Sequence, residues 1–396
     1  MSATIADPEP NQQLAMLRSS AFAFVAKESP FSRARALRGK PPGYDLRFWN
    51  ALASQGWTGL LAPESAGGYA QGFAEMAAVA AALATKVAPE PVTPVLVFAG
   101  RLLQSCSDSA TARQLLAEMA EGKTLPAVAW QEHTSGAADF DRDGGLSKPS
   151  TTCVRSGDRI VVRGSKRHIR PGAAASGYIV SAASADGLAL VWVAAQSAAL
   201  SKTIEPLADG TFAARLAFSD VELSAEMVLA TGLQAEAALA AAYDEALVLT
   251  AVELQTLARC MLTMTLDYLR TRKQFGKLIG SFQSLQHRAV DMLIQQELGE
   301  AVVAQALTAL DSGCPANERA ALAARAKSRC SDAALQIGRE SVQLHGAIGV
   351  TDENDLGLFL QRALVLSAWL GNGSTQRRRV AGLNRAAGAD NGGLPS

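Results

Sequence analysis

The sequence is short of several things, and each shortage closes off a class of protein. Its five cysteines, Cys106, Cys153, Cys260, Cys314 and Cys330, are odd in number and form no CxxC pair. That argues against a disulfide scaffold and fits reduced thiols. The four histidines, His133, His168, His287 and His345, lie far apart and make no HExxH or comparable spacing, so no metal centre is expected. Charge of either sign is not in excess: Lys+Arg and Asp+Glu both number 37, leaving no net field to recruit nucleic acid or an anionic membrane. No apolar run approaches the roughly 20 residues needed to span a bilayer. The opening MSATIADPEPNQQ is polar, acidic and proline-bearing, unlike a signal or transit peptide, and a cytoplasmic protein is the expectation. Internal repeats, a GxSxG elbow and a P-loop are all missing.

What remains is an alanine-prominent chain of 396 residues, 48% hydrophobic and 19% charged, long enough for two or three packed domains. Residues 1–124 repeat alanine, leucine and charge at helical spacing, broken at 39–43, 63–72 and 89–94, and form a helical N-terminal domain. Residues 125–230 change to short β-branched runs, Ala127 to Trp130, Arg159 to Arg163, Tyr178 to Ser181 and Leu188 to Ala194. Turn signals at Ser156-Gly157-Asp158, Asp186-Gly187 and Asp209-Gly210 separate antiparallel strands, predicting a β-barrel or sandwich. Residues 231–385 return to helical spacing as a C-terminal bundle, with a stripe at Val290, Ile294, Leu298, Val302, Ala306 and Leu310 on a helix from about 282 to 311. A Gly-, Ala- and Asn-rich tail, 386–396, is expected to be disordered. The fold class is α+β, in α, β, α domain order.

Three stretches carry chemistry. RKQFGKLIGSFQSLQH, Arg272 to His287, sets a basic pair, two phenylalanines and three glutamines at a break between helices, where an anionic ligand meets side chains and helix ends together. QLHGAIG runs from Gln343 to Gly349, and GNGSTQ from Gly371 to Gln376. The last is no dinucleotide loop, because Gln376 stands where GxGxxG needs glycine.

With the early GLLAPESAGG segment and the run RKQFGKLIGSFQSLQHRAVD, these stretches resemble the acyl-CoA dehydrogenase family over nearly the whole chain. The resemblance implies a three-domain chain assembling into tetramers, FAD at a subunit interface, an acyl-CoA substrate and an electron acceptor such as an electron-transfer flavoprotein. It places Arg272 on the FAD pyrophosphate, a role suited to a planar guanidinium. Gln274, Phe275, Gln283 and Gln343 fall along the adenosine and ribityl side, Gly346 and Gly349 allow backbone approach, and Ser374 and Gln376 complete the cofactor set. His345 reads as a packed histidine.

The chain also departs from that family. A glutamate base usually precedes the glycine of the last motif, and here Asn372 stands there, whose amide cannot take a proton. A minority arrangement puts the base on the first long helix of the last domain; an ungapped count reaches Ala246, one residue past Glu245, which is the candidate base. Where a tryptophan and a threonine usually flank the flavin, His168 and Arg170 occur, and the loop Gln131-Glu132-His133-Thr134-Ser135-Gly136 keeps Glu132 and Gly136 without the Gly-Ser-Asp ending. Retained residues are those that reach a neighbour's FAD; degraded ones hold flavin and base within one chain. A heteromeric assembly with a second dehydrogenase-like subunit follows, resembling the small-subunit type found with steroid-side-chain or dicarboxylyl substrates. The alternatives are a self-sufficient homotetramer using Glu245, a non-catalytic acyl-CoA-binding or scaffold subunit, and a flavin monooxygenase or oxidase. Pocket positions rich in alanine and without conspicuous charge suggest a bulky apolar acyl group.

Overall fold

The structure, a computed structural model, describes residues 10–133 and 139–391; the loop positions Thr134, Ser135 and Gly136 lie outside the described residues. Six helices build the N-terminal domain: α1 (Pro10–Glu28), α2 (Phe31–Leu37), α3 (Leu46–Ser54), α4 (Phe73–Ala84), α5 (Gly100–Ser105) and α6 (Ala110–Ala120). Their starts are set by local chemistry. Asp45 and Ser109 cap α3 and α6 by accepting from the Arg47 and Ala112 amides. The start of α4 is capped from another domain, since Asp311 accepts from the Phe73 and Ala74 amides at 2.6 and 3.1 Å. A π-helical run, Thr93–Ala99, leads straight into α5 and is buried throughout.

The middle domain is one eight-stranded sheet folded on itself: β1 (Pro126–Ala129), β2 (Thr152–Ser156), β3 (Arg159–Ile169), β4 (Gly177–Ser184), β5 (Gly187–Ala194), β6 (Leu200–Pro206), β7 (Phe212–Ser224) and β8 (Val228–Thr231). The strand order is β6-β7-β3-β2-β4-β5-β8, with β1 parallel to β4. All three expected turns join antiparallel neighbours, and Gly157, Gly187 and Gly210 have the left-handed φ such turns need. Val162, Val180, Val191 and Leu216 meet inside the fold, giving this domain its own apolar core. At the end of β3, Gly172 lies against the neighbouring strand so closely that a Cβ would sit 2.2 Å from the Ala213 carbonyl carbon. The turn after Arg170 is thereby pinned to β7.

The C-terminal bundle contains α7 (Gly232–Thr271), then a two-residue ladder of β9 (Lys273–Gln274) and β10 (Lys277–Leu278), then α8 (Gln283–Asp311), α9 (Ala316–His345), α10 (Leu356–Ala368) and α11 (Gly373–Asn391). α7 packs chiefly on α9, and its buried residues join a core continuous with the N-terminal domain. The predicted stripe on α8 divides in two. Ala306 is buried and Val302 and Leu310 are half-buried, but Val290, Ile294 and Leu298 are 53%, 48% and 49% exposed. α11 packs on α9 and runs as far as Asn391. No described helix is long and apolar enough to cross a membrane.

Gly172→Ala is expected to cost about 1–3 kcal/mol through forced separation of β3 and β7. A fall in the urea midpoint at unchanged slope checks this.

Candidate functional site

The residues singled out in the sequence gather at two places. At one end of the bundle, the C-termini of α7 and α9 meet the N-terminus of α8, fastened by stacking of the Tyr268 and His345 rings at 4.5 Å. His345 is buried, with Nδ1 2.8 Å from the Ser341 carbonyl, as a packed histidine should be. Around it Arg272, Gln274, Gln283, Gln343 and Gly346 are all exposed. Arg272 ends α7, and its amide donates to the Tyr268 carbonyl, while its guanidinium makes no ion pair among the described residues. Phe275 and Gly276 turn the β9–β10 hairpin with φ of 52° and 77°. Left-handed backbone at a bulky residue is costly, and Phe275 is also 91% exposed, leaning edge-on to Phe282. This end offers Arg272, Lys273, Lys277 and the amides at the start of α8, a set suited to a pyrophosphate. None of these residues lines any of the described cavities.

The other place is a cavity of about 380 Å³ between the β domain and α10. It unites three departures that lie 200 residues apart in sequence: His168, Arg170 and Asn372 all line it, with Gln131, Leu207, Ala213, Leu364 and Trp369. No carboxylate is among its lining residues. Asn372 instead begins α11, its Oδ1 accepting from the Thr375 amide at 2.9 Å as an N-cap. Ser374 is exposed, whereas Gln376 is fully buried, and its Nε2 donates to the Tyr243 hydroxyl (2.8 Å) and the Leu370 carbonyl (2.6 Å). Arg170 corrects the expectation of an uncharged pocket. It is 8% exposed, lies 5.4 Å over the Trp369 ring, and among the described residues makes only a long bond to Thr211 Oγ1 at 3.4 Å. Burial, then the neighbouring Arg362, lowers its pKa to about 10, so it is still a cation at neutral pH.

Glu245 lies elsewhere. It is buried on α7 and ion-paired with Arg101 on α5, at 2.9 Å from Nε, and lines none of the described cavities. Burial, partly offset by Arg101, pushes its carboxyl above the usual range. Beside it Asp244 holds Arg379 at 2.7 Å and Arg319 at 3.4 Å. Arg379 in turn lies over the rings of Phe140 and Tyr243, and Trp130, Phe140 and Tyr243 pack edge-on at 5.2 and 5.7 Å. This aromatic and arginine cluster fills the junction of β1, α7 and α11. A cleft of about 720 Å³, with Leu146, Lys148, Ser181, Leu188 and Leu239 on its walls, opens on its far side and shares no lining residue with the first cavity. Glu132 serves structure too: burial raises its pKa, but Lys166 at 2.7 Å and the Ser150 and Thr151 bonds prevail and hold it at about 2.

Sequence reasoning missed Lys327. Its Nζ lies wholly inside the bundle and reaches Ser331 Oγ (3.3 Å) and the carbonyls of Ser367 and Gly371 (both 3.0 Å). It thereby ties α9 and the end of α10 to the loop that carries Asn372. The signal was available: Lys327 occupies the apolar stripe Ala323, Ala326, Cys330, Ala334 of α9.

Comparison with known proteins accords with this architecture. Residues 11–123 match the model for the acyl-CoA dehydrogenase N-terminal domain and residues 235–382 that for the acyl-CoA dehydrogenase C-terminal domain. The chain is 28% identical over 359 residues to acyl-CoA dehydrogenase IpdE2 of Mycobacterium tuberculosis, covering 89% of this chain and 92% of the relative. Among solved structures it is similar to a variant of the Tcur3481-Tcur3483 steroid ACAD, with TM-score 0.84, 27% identity and coverage of 96% and 99%. Butyryl-CoA dehydrogenase from Megasphaera elsdenii shares the fold at TM-score 0.84 and 22% identity, with coverage of 96% and 100%.

Lys327 generates a pH prediction. Burial is the main cause that brings its pKa down to about 7 from an ordinary 10.5. Below about 7 both folded and unfolded chains hold the proton, and the burial cost is fully present. Above it the unfolded chain binds a proton that the folded chain has released, so stability rises with pH. Between pH 7 and about 8.5, below the thiol range, the wild type should gain stability over Lys327→Met by up to about 1.4 kcal/mol per pH unit. Parallel urea denaturation series for the two proteins measure the slope; equal slopes contradict it.

Proposed function

Because the chain belongs to the acyl-CoA dehydrogenase family, an oxidoreductase family acting on acyl-CoA whose members are flavoproteins, we propose that it works as one subunit of a heteromeric enzyme and lends its bundle end to FAD held mainly by an unlike partner. The observation that carries this reading is the cavity at the 370–373 loop, which has Asn372 at the place of the base and no carboxylate on its walls. Desaturation removes a proton from Cα and a hydride from Cβ of the acyl thioester, and FAD, when bound, supplies the acceptor for that hydride. Within this chain nothing at Asn372 can take the Cα proton. Glu245 is committed to Arg101, which speaks against the self-sufficient homotetramer.

Two further features support shared sites. Arg272, Gln274, Phe275, Gln283, Gln343 and Gly346 stand exposed at the bundle end, and none of them lines the described cavities. There Arg272 would take the pyrophosphate by paired hydrogen bonds, and the glutamine amides would serve sugar and base. The exposed stripe Val290, Leu293, Ile294 and Leu298 supplies apolar surface of the kind that subunit contacts bury. The steroid ACAD named with two components, Tcur3481 and Tcur3483, favours a bulky alicyclic acyl-CoA and a two-chain assembly for this protein also. An electron-transfer flavoprotein is the expected acceptor.

Purified alone, the chain should retain little flavin and show no acyl-CoA turnover with an artificial acceptor. Co-purified with an unlike family member that carries the glutamate, it should be yellow and active. In that complex Arg272→Ala should lose most of the flavin absorbance while its thermal midpoint without flavin is unchanged, and Glu245→Gln should keep turnover. An active, flavin-loaded homotetramer that Glu245→Gln inactivates would sink the reading.

A further inference from the structure

The cavity beside Asn372 contains a charge that the chain itself leaves unanswered. Arg170 is more than nine-tenths buried on its wall, and its Nη1 has no hydrogen-bond partner. Two carboxylates lie near, but both are spent on another residue: Arg362 bonds Asp209 and Glu253 at 3.0 Å each. Asp209 Oδ1 also accepts from the Thr211 amide and hydroxyl, and Glu253 from Thr93 at 2.5 Å. No carboxylate oxygen comes within ion-pair distance of Arg170 among the described residues. His168, whose pKa is lowered chiefly by burial, adds no second cation at neutral pH.

Beside Arg170 the cavity has an apolar wall, while Gln131, His168, Asn372 and Thr375 add neutral polar groups to its lining. Leu207, Ala208, Ala213, Leu364 and Ala368 line it, and the Trp369 ring lies under the guanidinium. A buried guanidinium with an unused edge is costly, and a carboxylate meets that edge with charge-assisted hydrogen bonds. Alanine and leucine walls beside it accept a ring or short hydrocarbon. A thiol ester or an amide of the same shape carries no charge and leaves Arg170 as it was.

We propose that this cavity is a binding site for a compact free carboxylate, an alicyclic or short-chain acid rather than its thioester, anchored by Arg170 and seated on Trp369. The site belongs to this chain alone and does not depend on the partner proposed above.

The test uses the full chain without a partner and titrates cyclohexanecarboxylate against cyclohexanecarboxamide by calorimetry at neutral pH. The acid should bind, the amide at least about tenfold more weakly. Arg170→Gln should weaken the acid to the level of the amide, and Arg170→Lys should restore part of the difference. If Arg170→Gln fails to fold by circular dichroism, Ala368→Phe, which fills the cavity and leaves Arg170 in place, should abolish binding of both. Equal affinity for acid and amide, no binding of either, acid binding that survives both substitutions, or stoichiometric FAD uptake by the isolated chain that displaces the acid each overturns the proposal.

Discussion

One buried ionic relay holds the three domains in register. Thr93 from the N-terminal domain donates to Glu253 on α7, Glu253 accepts from Arg362 on α10, and Arg362 also grips Asp209 in the β6–β7 turn. Asp209 then positions Thr211, which touches Arg170 at the end of β3. Removing one partner from such a chain leaves a buried charge without compensation, which is why paired burial of this kind is costly to break even where its net contribution is small. The cavity beside Asn372 sits on top of this relay. Its shape therefore depends on the docking of the domains, not on any one of them.

Lys327 complements the relay from the bundle side. Its Nζ donates to the Ser367 and Gly371 carbonyls and to the Ser331 hydroxyl oxygen, three acceptors for the three hydrogens an ammonium carries. Tyr243 and Gln376 fix the next residue back, Leu370, whose φ of 59° is a strained value for a branched side chain. The loop that ends in Asn372 is thus held at consecutive carbonyls by groups from α7, α9 and α11.

Much of the domain plan was legible because it rests on local rules. The hairpins at Gly157, Gly187 and Gly210 follow from turn chemistry, and α8 begins within a residue of the position its pattern gave. Placement of residues distant in sequence was not legible. His168, Arg170 and Asn372 read as three separate oddities, and only docking of β3 on the end of α10 makes them one wall. The apolar stripe on α8 was legible as a stripe, but spacing could not say that Val290, Ile294 and Leu298 face outward, because periodicity says that a face is apolar and not what covers it.

Asn372 joins two roles at one position. Its side chain caps α11, a role in which asparagine ranks among the best residues and which is worth about 0.5–2 kcal/mol when lost to alanine. Glutamate is a poorer cap, because its longer side chain does not hold the oxygen at the N3 amide. An acidic side chain introduced here would therefore loosen the start of the helix that carries Arg379 over Tyr243. The residue that lines the cavity is also the clamp of the helix behind it.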